Sequence, residues 1–419
     1  MTDSMKWASA LSQKPSLEAA VKEVAEQAQR SLQATADLAF VFISSSFTSE
    51  FPRLMPLLKE YLSVPYLIGC SGGGIIGQDV EIDEVQEVED EPALCLTLAH
   101  LPGVNIHPFH TREDDLPDLD SPPDAWVELI GVRPEENPQF ILLADPFTAG
   151  INDLLQGLDF AYPGSVKVGG LAGSDASSGN SSLFCNFEHL REGVVGVALS
   201  GNVVLEAIVA QGCRPIGQTY RVVDGERNIV MKVVPQDANP FASDGTALTP
   251  LEALQEVYQD LSDEDRELAQ HSLFVGVAQS EFKQSLEQGD FLIRNLLGVD
   301  PKVGAIAIGD RVRAGQRIQF HLRDAETSSN DLDALLEKYV MNLDPNQASP
   351  SGALMFSCLG RGEGLYGEPN IDSQLLHQYL KRIPVSGFFC NGEIGPVGNT
   401  TFLHGYTSVF GICRASHED

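Results

Sequence analysis

The sequence predicts a mixed α/β (α+β) fold, in which repeated strand–helix–glycine-turn–strand units form mixed, stacked sheets with helices outside. Three observations lead there. Short continuous apolar runs have the length of strands, amphipathic stretches separate them, and glycine-rich turns recur three times, each entered from a short strand.

The elements follow in order. Ser16–Gln33 (SLEAAVKEVAEQAQRSLQ) carries Leu17, Val21, Val24 and Ala28 on one side of a helix that starts at Ser16. The residues before the first strand read as this one amphipathic helix. Leu38–Ile43 (LAFVFI) is β-branched and aromatic, the pattern of a buried strand. A helix over Glu50–Leu62 and the turn Val64–Gly77 (VPYLIGCSGGGIIG) complete the first unit. The second has strand Gln139–Ala144, helix Asn152–Phe160 and the turn Tyr162–Asp175 (YPGSVKVGGLAGSD). The third has strand Ala353–Leu359, helix Asp372–Arg382 and the turn Ile383–Gly398 (IPVSGFFCNGEIGPVG). Strand-like sequence follows each turn, at Ala93–Leu98, Gly193–Leu199 and Thr407–Cys413. Placing Gly69 on Gly387 puts Gly74 on Gly392, Ile76 on Ile394 and Gly77 on Gly395; the second copy aligns through Gly170 on Gly69 and Gly173 on Gly72.

Between the second and third units, Arg221–Asp344 has a different pattern. Helices are expected at Pro250–Leu261, from Ser262–Asp263, and at Ser329–Asn342. Strands are expected at Leu273–Ala278, Phe291–Asn295, Gly304–Ile308 and Arg317–Leu322. A boundary near Arg221–Arg227 divides the chain into domains 1–224 and 225–419. Leu101–Asp124, rich in Pro and Asp, reads as an exposed loop, either an insertion or a flap.

Composition narrows the partners. The 419 residues carry 59 acids against 27 Lys plus Arg, a formal net charge of −32 that repels nucleic-acid phosphates and anionic lipid. No apolar run is long enough to span a bilayer, and the N-terminus has no secretory apolar core. Seven scattered cysteines without CxxC spacing point to buried thiols in a reducing compartment, not to disulfides or zinc. The expectation is a cytoplasmic protein with no metal, no cofactor, no nucleic acid and no membrane insertion.

Each short motif requires a particular local structure. Gly72–Gly77 and Gly362–Gly367 both satisfy GxGxxG, but a dinucleotide site needs a strand before the motif and a helix opening within it. Strand-like Gln78–Ile82 follows the first match and Glu368-Pro369 the second, so both read as coincidences. His107 and His110 form HxxH with Pro108 between them, which reads as a solvated loop and not a helical metal site. Ser71 in GCSGG lacks the strand-to-helix elbow of a hydrolase. Cys358 ends a strand beside Arg361, a cation that would lower a thiol pKa. In Ile383–Gly398, Asn391 and Glu393 place polar groups on a turn whose glycines let the backbone approach a ligand.

FSCLGRG (Phe356–Gly362) and GFFCNGEIGP (Gly387–Pro396) together resemble the C-terminal half of FIST-domain proteins. The first helix, LAFVFISSSF and VPYLIGCSGGGIIG resemble the N-terminal half, so the resemblance runs from about Ser16 to Arg414. It implies an intracellular sensory module that binds a small metabolite such as an amino acid. Relatives are joined to signalling domains or to an F-box; neither is read in this sequence, so a signal would pass through a separate, unidentified protein partner. The matched positions are Cys358, Arg361, Asn391, Gly392, Glu393 and Gly395. They suggest a pocket formed with Cys70–Gly74, in which Arg361 pairs with a carboxylate and Glu393 or Asn391 receives an amine. Two alternatives stand beside this: a thiol-dependent or hydrolytic enzyme centred on Cys358, and a protein-interaction scaffold without a small ligand.

Overall fold

The computed structural model describes residues 4–79, 84–173, 181–237, 247–279, 283, 285–286, 289–381 and 383–416. The chain separates into two compact units, Met1–Ala210 together with Asp333–Asp419, and Gln211–Leu332.

The first unit contains three repeats. The first runs β1 (Lys6–Ser12), α1 (Leu17–Leu32), β2 (Leu38–Ser44), α2 (Phe51–Tyr61), β3 (Tyr66–Gly72), β4 (Gly74–Asp79), β5 (Glu84–Glu89) and β6 (Leu94–His100). The second runs β7 (Val104–Thr111), α3 (Pro123–Ile130), β8 (Gln139–Ala144), α4 (Ile151–Ala161), β9 (Lys167–Leu171), β10 (Leu183–Cys185), β11 (Glu188–Leu190) and β12 (Val194–Gly201). The third opens with β13 (Val204–Ala210), after which the chain enters the second unit.

That unit is a closed antiparallel barrel of six strands, ordered β14-β15-β18-β17-β16-β19. Its elements are β14 (Arg214–Glu226), β15 (Ile229–Pro235), α5 (Pro250–Asp260), α6 (Asp263–Ala269), β16 (Leu273–Ala278), β17 (Phe291–Asp300), β18 (Ala305–Ile308) and β19 (Arg317–Leu322). Val222, Val230, Val275, Ile306 and Phe320 fill it. Thr249 opens α5 with a capping box: its hydroxyl accepts from the Glu252 N–H while the Glu252 carboxylate accepts from the Thr249 N–H. The expected boundary Arg221–Arg227 lies along β14 and the turn after it.

After α7 (Ala325–Met341), along which the chain leaves the second unit at Leu332, the third repeat continues with β20 (Gly352–Cys358), the short α8 (Glu363–Tyr366), α9 (Ile371–Tyr379), β21 (Val385–Cys390), β22 (Glu393–Val397), β23 (Thr400–His404) and β24 (Ser408–Arg414). The three sheets are ordered β1-β6-β2-β3-β10-β11, β7-β12-β8-β9-β22-β23 and β13-β24-β20-β21-β4-β5. Each takes four strands from one repeat and a hairpin from another. The second repeat lends β10–β11 to the first sheet, the third lends β22–β23 to the second, and the first lends β4–β5 to the third. The exchange is cyclic.

In each sheet the central pair is parallel and joined through a helix, as a parallel crossover requires. Its register aligns Val41 with Gly69, Leu142 with Gly169 and Met355 with Gly387. A Cβ on these glycines would lie 2.1, 1.8 and 1.7 Å from the partner carbonyl oxygen, so only glycine fits. The second copy therefore aligns through Gly169, one residue earlier than the Gly170 expected from the sequence. Adjacent glycines make a one-residue slip invisible without the partner strand.

The apolar runs are continuous because these strands are buried on both faces. Phe40 and Phe42, Ile141 and Leu143, and Leu354, Phe356 and Phe388 share one central core. Ala39, Val41 and Ile43 face α1 and α2 instead, and Phe140, Leu142 and Ala144 pack with residues of α3 and α4.

Two further expectations differ from the structure. Residues before Leu38 hold a strand as well as a helix, since β1 pairs with β6 from Lys6↔His100 to Ser12↔Leu94. Its buried Ser9 and Ser12 dilute the apolar signal. Leu101–Asp124 is not one loop: it contains β7 and the start of α3. Pro108 is tolerated because β7 is an edge strand, where a missing N–H donor breaks no ladder. Val80–Ile82, Ser174–Asp175 and Arg382, which end three predicted segments, lie outside the described residues. Among the described residues no helix is long and apolar enough to cross a membrane.

Candidate functional site

The three glycine turns are hydrogen-bonded to one another in a cycle. The Gly73 N–H donates to Phe389 O (3.1 Å), Gly173 N–H to Ser71 O (2.9 Å) and Asn391 N–H to Leu171 O (3.2 Å). A Cβ on Gly173 would lie 2.0 Å from the Gly73 nitrogen, so the chains cross with no room for a side chain.

This cycle shows what distinguishes the third copy. Gly69 pairs with Phe184, Gly169 with Ile394 and Gly387 with Ile76. One residue earlier on each hairpin stand Leu183, Glu393 and Ile75. A carboxylate thus occupies a place that is aliphatic in the other two copies, and Glu393 is fully buried. It accepts from the Thr407 N–H at 3.2 Å. Asn391, which takes the place of Gly73 and Gly173, donates through Nδ2 to Ala172 O at 3.1 Å. Gly392 O accepts from the Leu171 N–H at 2.8 Å. Gly395 packs beside Val209 and Val409, where a Cβ would meet side chains at 2.9 and 3.1 Å.

Cys358 ends β20 directly opposite Cys390, with its N–H donated to Thr407 O. It is partly exposed, whereas the other six cysteines are buried. Burial holds the Cys390 thiol well above its ordinary pKa, reinforced by the nearby Glu393 charge. Cys358, Asn391 and Glu393 thus meet at one strand end, joined through the backbone of Thr407 and the Leu359 N–H donated to Cys390 O.

Arg361 turns into a second network. Its Nε and Nη2 donate to the two oxygens of Asp372 at 2.7 and 2.8 Å, and both residues are buried. Nη2 also donates to the Tyr366 hydroxyl (2.6 Å), which donates to Asp372 at 2.7 Å. The carboxylate that Arg361 holds in this structure is the protein's own. Glu87, brought in on the hairpin lent by the first repeat, accepts from the Ser373 N–H at 2.8 Å. Burial first, and then the Asp372 charge, push its pKa up to about 7, opposed by that hydrogen bond. Motif reading missed Asp372, Tyr366 and Glu87; Glu87 is remote in sequence and carries no local signal.

A cavity of about 300 Å³ lies beside the lent hairpin of the first sheet. Its walls include Thr48 and Ser49 before α2, Asp145 and Phe147 after β8, and Ser181, Ser182, His189 and Arg191. Asp145, Ser44 and Cys358 occupy corresponding places, each three residues beyond the register-setting Leu142, Val41 and Met355. Asp145 and Ser181 are buried, and the Ser181 hydroxyl donates to Asp145 Oδ1 at 2.5 Å. Ser182 Oγ lies 2.9 Å from His189 Nε2. Burial first, and then the Arg191 charge, hold His189 below the usual imidazole pKa. None of these cavity residues stood out in the sequence, because they come from three separate segments.

The remaining motifs resolve on geometry. Gly74–Gly77 lies within β4, and Gly362–Gly367 encloses the four-residue α8, so neither glycine motif opens a long helix onto a ligand. His107 and His110 are on edge strand β7, with His110 Nε2 2.9 Å from Glu192 O. They are strand residues, not loop residues. Among the described residues no group of three or more His, Cys, Asp or Glu is placed to hold a metal ion.

The FIST N domain model matches residues 37–233 and the FIST C domain model residues 250–396. An uncharacterized protein of Mycobacterium bovis is 33% identical over 402 residues, covering 95% of this chain and 96% of its own. One of Mycobacterium tuberculosis is also 33% identical over 402 residues, covering 95% of this chain and 97% of its own. An F-box/LRR-repeat protein of Arabidopsis thaliana is 32% identical over 117 residues, 24% of this chain and 22% of that protein. The crystal structure of a cyanuric acid hydrolase from A. caulinodans, 10% identical, aligns over 99% of this chain and all of its own with a TM-score of 0.32, too low to inform fold or activity. Both domain models match in order over most of the chain, and the mycobacterial relatives match it nearly end to end: the chain belongs to the FIST family.

Proposed function

We propose that this chain is a sensory module that binds a small zwitterion such as an amino acid in the cavity beside β10 and β11, and signals through a separate protein partner. FIST domains are in general sensory and ligand-binding. The observation that carries the reading is the pairing of opposite charges in one small cavity: buried Asp145 in its wall and exposed Arg191 at its rim. A carboxylate and a guanidinium so placed complement an α-ammonium and an α-carboxylate, and about 300 Å³ suits a metabolite of that size. Cys358, Asn391, Gly392, Glu393 and Gly395 then frame the turns, and Arg361 braces Asp372 and Tyr366; none of the six is a direct ligand contact in this reading. That frame reaches the cavity through Ser71, whose Oγ accepts from the Ser182 N–H at 3.0 Å.

Calorimetric titration and thermal shift with the common amino acids test this. At least one should raise the melting temperature, and Asp145→Asn or Arg191→Ala should each weaken it about 10- to 100-fold, the loss of a charge-assisted contact. Silence across the whole set, or unchanged affinity in the double variant, rejects amino-acid binding in this cavity.

A further inference from the structure

We infer that Ser182 is a nucleophile activated by His189, so that the same cavity also performs acyl transfer on a small ester or amide. This rests on the cavity as the ligand site and goes beyond binding.

The dyad is built by the hairpin. Leu183 pairs with Leu190 and Phe184 with His189, so Ser182, two residues before Phe184, faces the same side as His189. The 2.9 Å contact between Ser182 Oγ and His189 Nε2 lies on that face, against the cavity. Both groups are held firmly. The imidazole stacks on the Phe184 ring at 5.5 Å, and the Ser182 backbone is clamped at both ends, its N–H on Ser71 Oγ and its carbonyl accepting from the Ser71 N–H. Ser182 is only 3% exposed, yet it lines a cavity large enough for a substrate.

The surroundings suit the chemistry. A neutral imidazole accepts a proton, and the burial and Arg191 charge that disfavour imidazolium keep His189 neutral. As Ser182 Oγ bonds to the substrate carbonyl carbon, its proton passes to His189 Nε2, and the carbonyl oxygen becomes an oxyanion. That intermediate forms in a cavity bordered by the Arg191 guanidinium and by the hydroxyl side chains of Thr48 and Ser49. Collapse breaks the C–O or C–N bond, and the leaving group takes the proton from His189. Water, deprotonated by His189 in turn, then releases the acid and restores the Ser182 hydroxyl. Asp145 in the same wall favours substrates carrying a cation, such as esters or amides of amino acids.

The test is covalent labelling of the full-length protein with a fluorophosphonate, read by intact mass and peptide mapping. One adduct on Ser182 is expected, formed at least about 100-fold more slowly in His189→Gln. Absence of a Ser182 adduct on the unaltered protein overturns the inference, and so does an undiminished rate in a folded His189→Gln. An amino-acid thermal shift without any adduct sinks this inference alone; an adduct without any shift sinks the binding reading alone.

Discussion

Arg361→Ala is expected to cost about 3–5 kcal/mol of unfolding free energy, the penalty of leaving a buried charge without its partner. Arg361 has no exposed surface and Asp372 almost none, and their two parallel hydrogen bonds are the geometry for which guanidinium is suited. Removing the cation leaves Asp372 facing the Tyr366 hydroxyl, with Glu87 close enough for its charge to be felt. Arg361→Lys should recover only part of the loss, because an ammonium cannot span both carboxylate oxygens. Replacing both partners with apolar residues, as in Arg361→Met with Asp372→Leu, should destabilise less than Arg361→Ala alone. Urea denaturation followed by circular dichroism measures all three. A loss below about 1 kcal/mol for Arg361→Ala would mean that water enters the site and the burial argument is wrong.

Acidification should stabilise the protein through Glu87. Its folded pKa is raised to about 7, while the ordinary value is 4.5. Between these values the folded state holds a proton that the unfolded state has released. Stability therefore falls as pH rises from about 4.5 to about 7 and levels off above that. At about 1.4 kcal/mol per unit, the full span is about 3 kcal/mol. Glu87→Gln isolates this contribution from the many other carboxylates, and its amide oxygen can still accept from the Ser373 N–H. The variant should melt above the parent at pH 8 and level with it near pH 5. Equal melting temperatures at both pH values would show that Glu87 is ionised and well solvated in the fold.

What sequence revealed, and what it hid, follows from the range of each interaction. Leu38–Ser44 and Gln139–Ala144 were legible because burial on both faces makes a strand apolar throughout. The helices were legible because one face alone is apolar. Strand β1 was not, since its buried serines interrupt the pattern. Pairing between repeats was hidden for another reason: the ladder joining β21 to β4 links Phe388 to Ile75, and nothing local encodes such a match. At the site, Asn391 and Glu393 were visible as polar residues in a glycine-rich turn. Their partners were not, because Thr407 and Ala172 offer only backbone groups, which any residue type supplies. The cavity was the least legible feature, assembled from the start of α2, the end of β8 and the β10–β11 hairpin.

The cyclic exchange of hairpins also bears on how such a chain can be divided. A single repeat released from the others would carry a hairpin with no sheet to join and a sheet with an open edge beside its parallel pair. Both defects are cured at once when three such pieces associate head to tail, each giving its hairpin to a neighbour. The first unit is therefore a closed three-subunit assembly written as one polypeptide. Fusion frees each subunit from having to match the others, so one strand end can hold Ser44, the next Asp145 and the third Cys358. A true homotrimer would be compelled to repeat one chemistry three times; the fused chain keeps the symmetric scaffold and lets its three corners specialise.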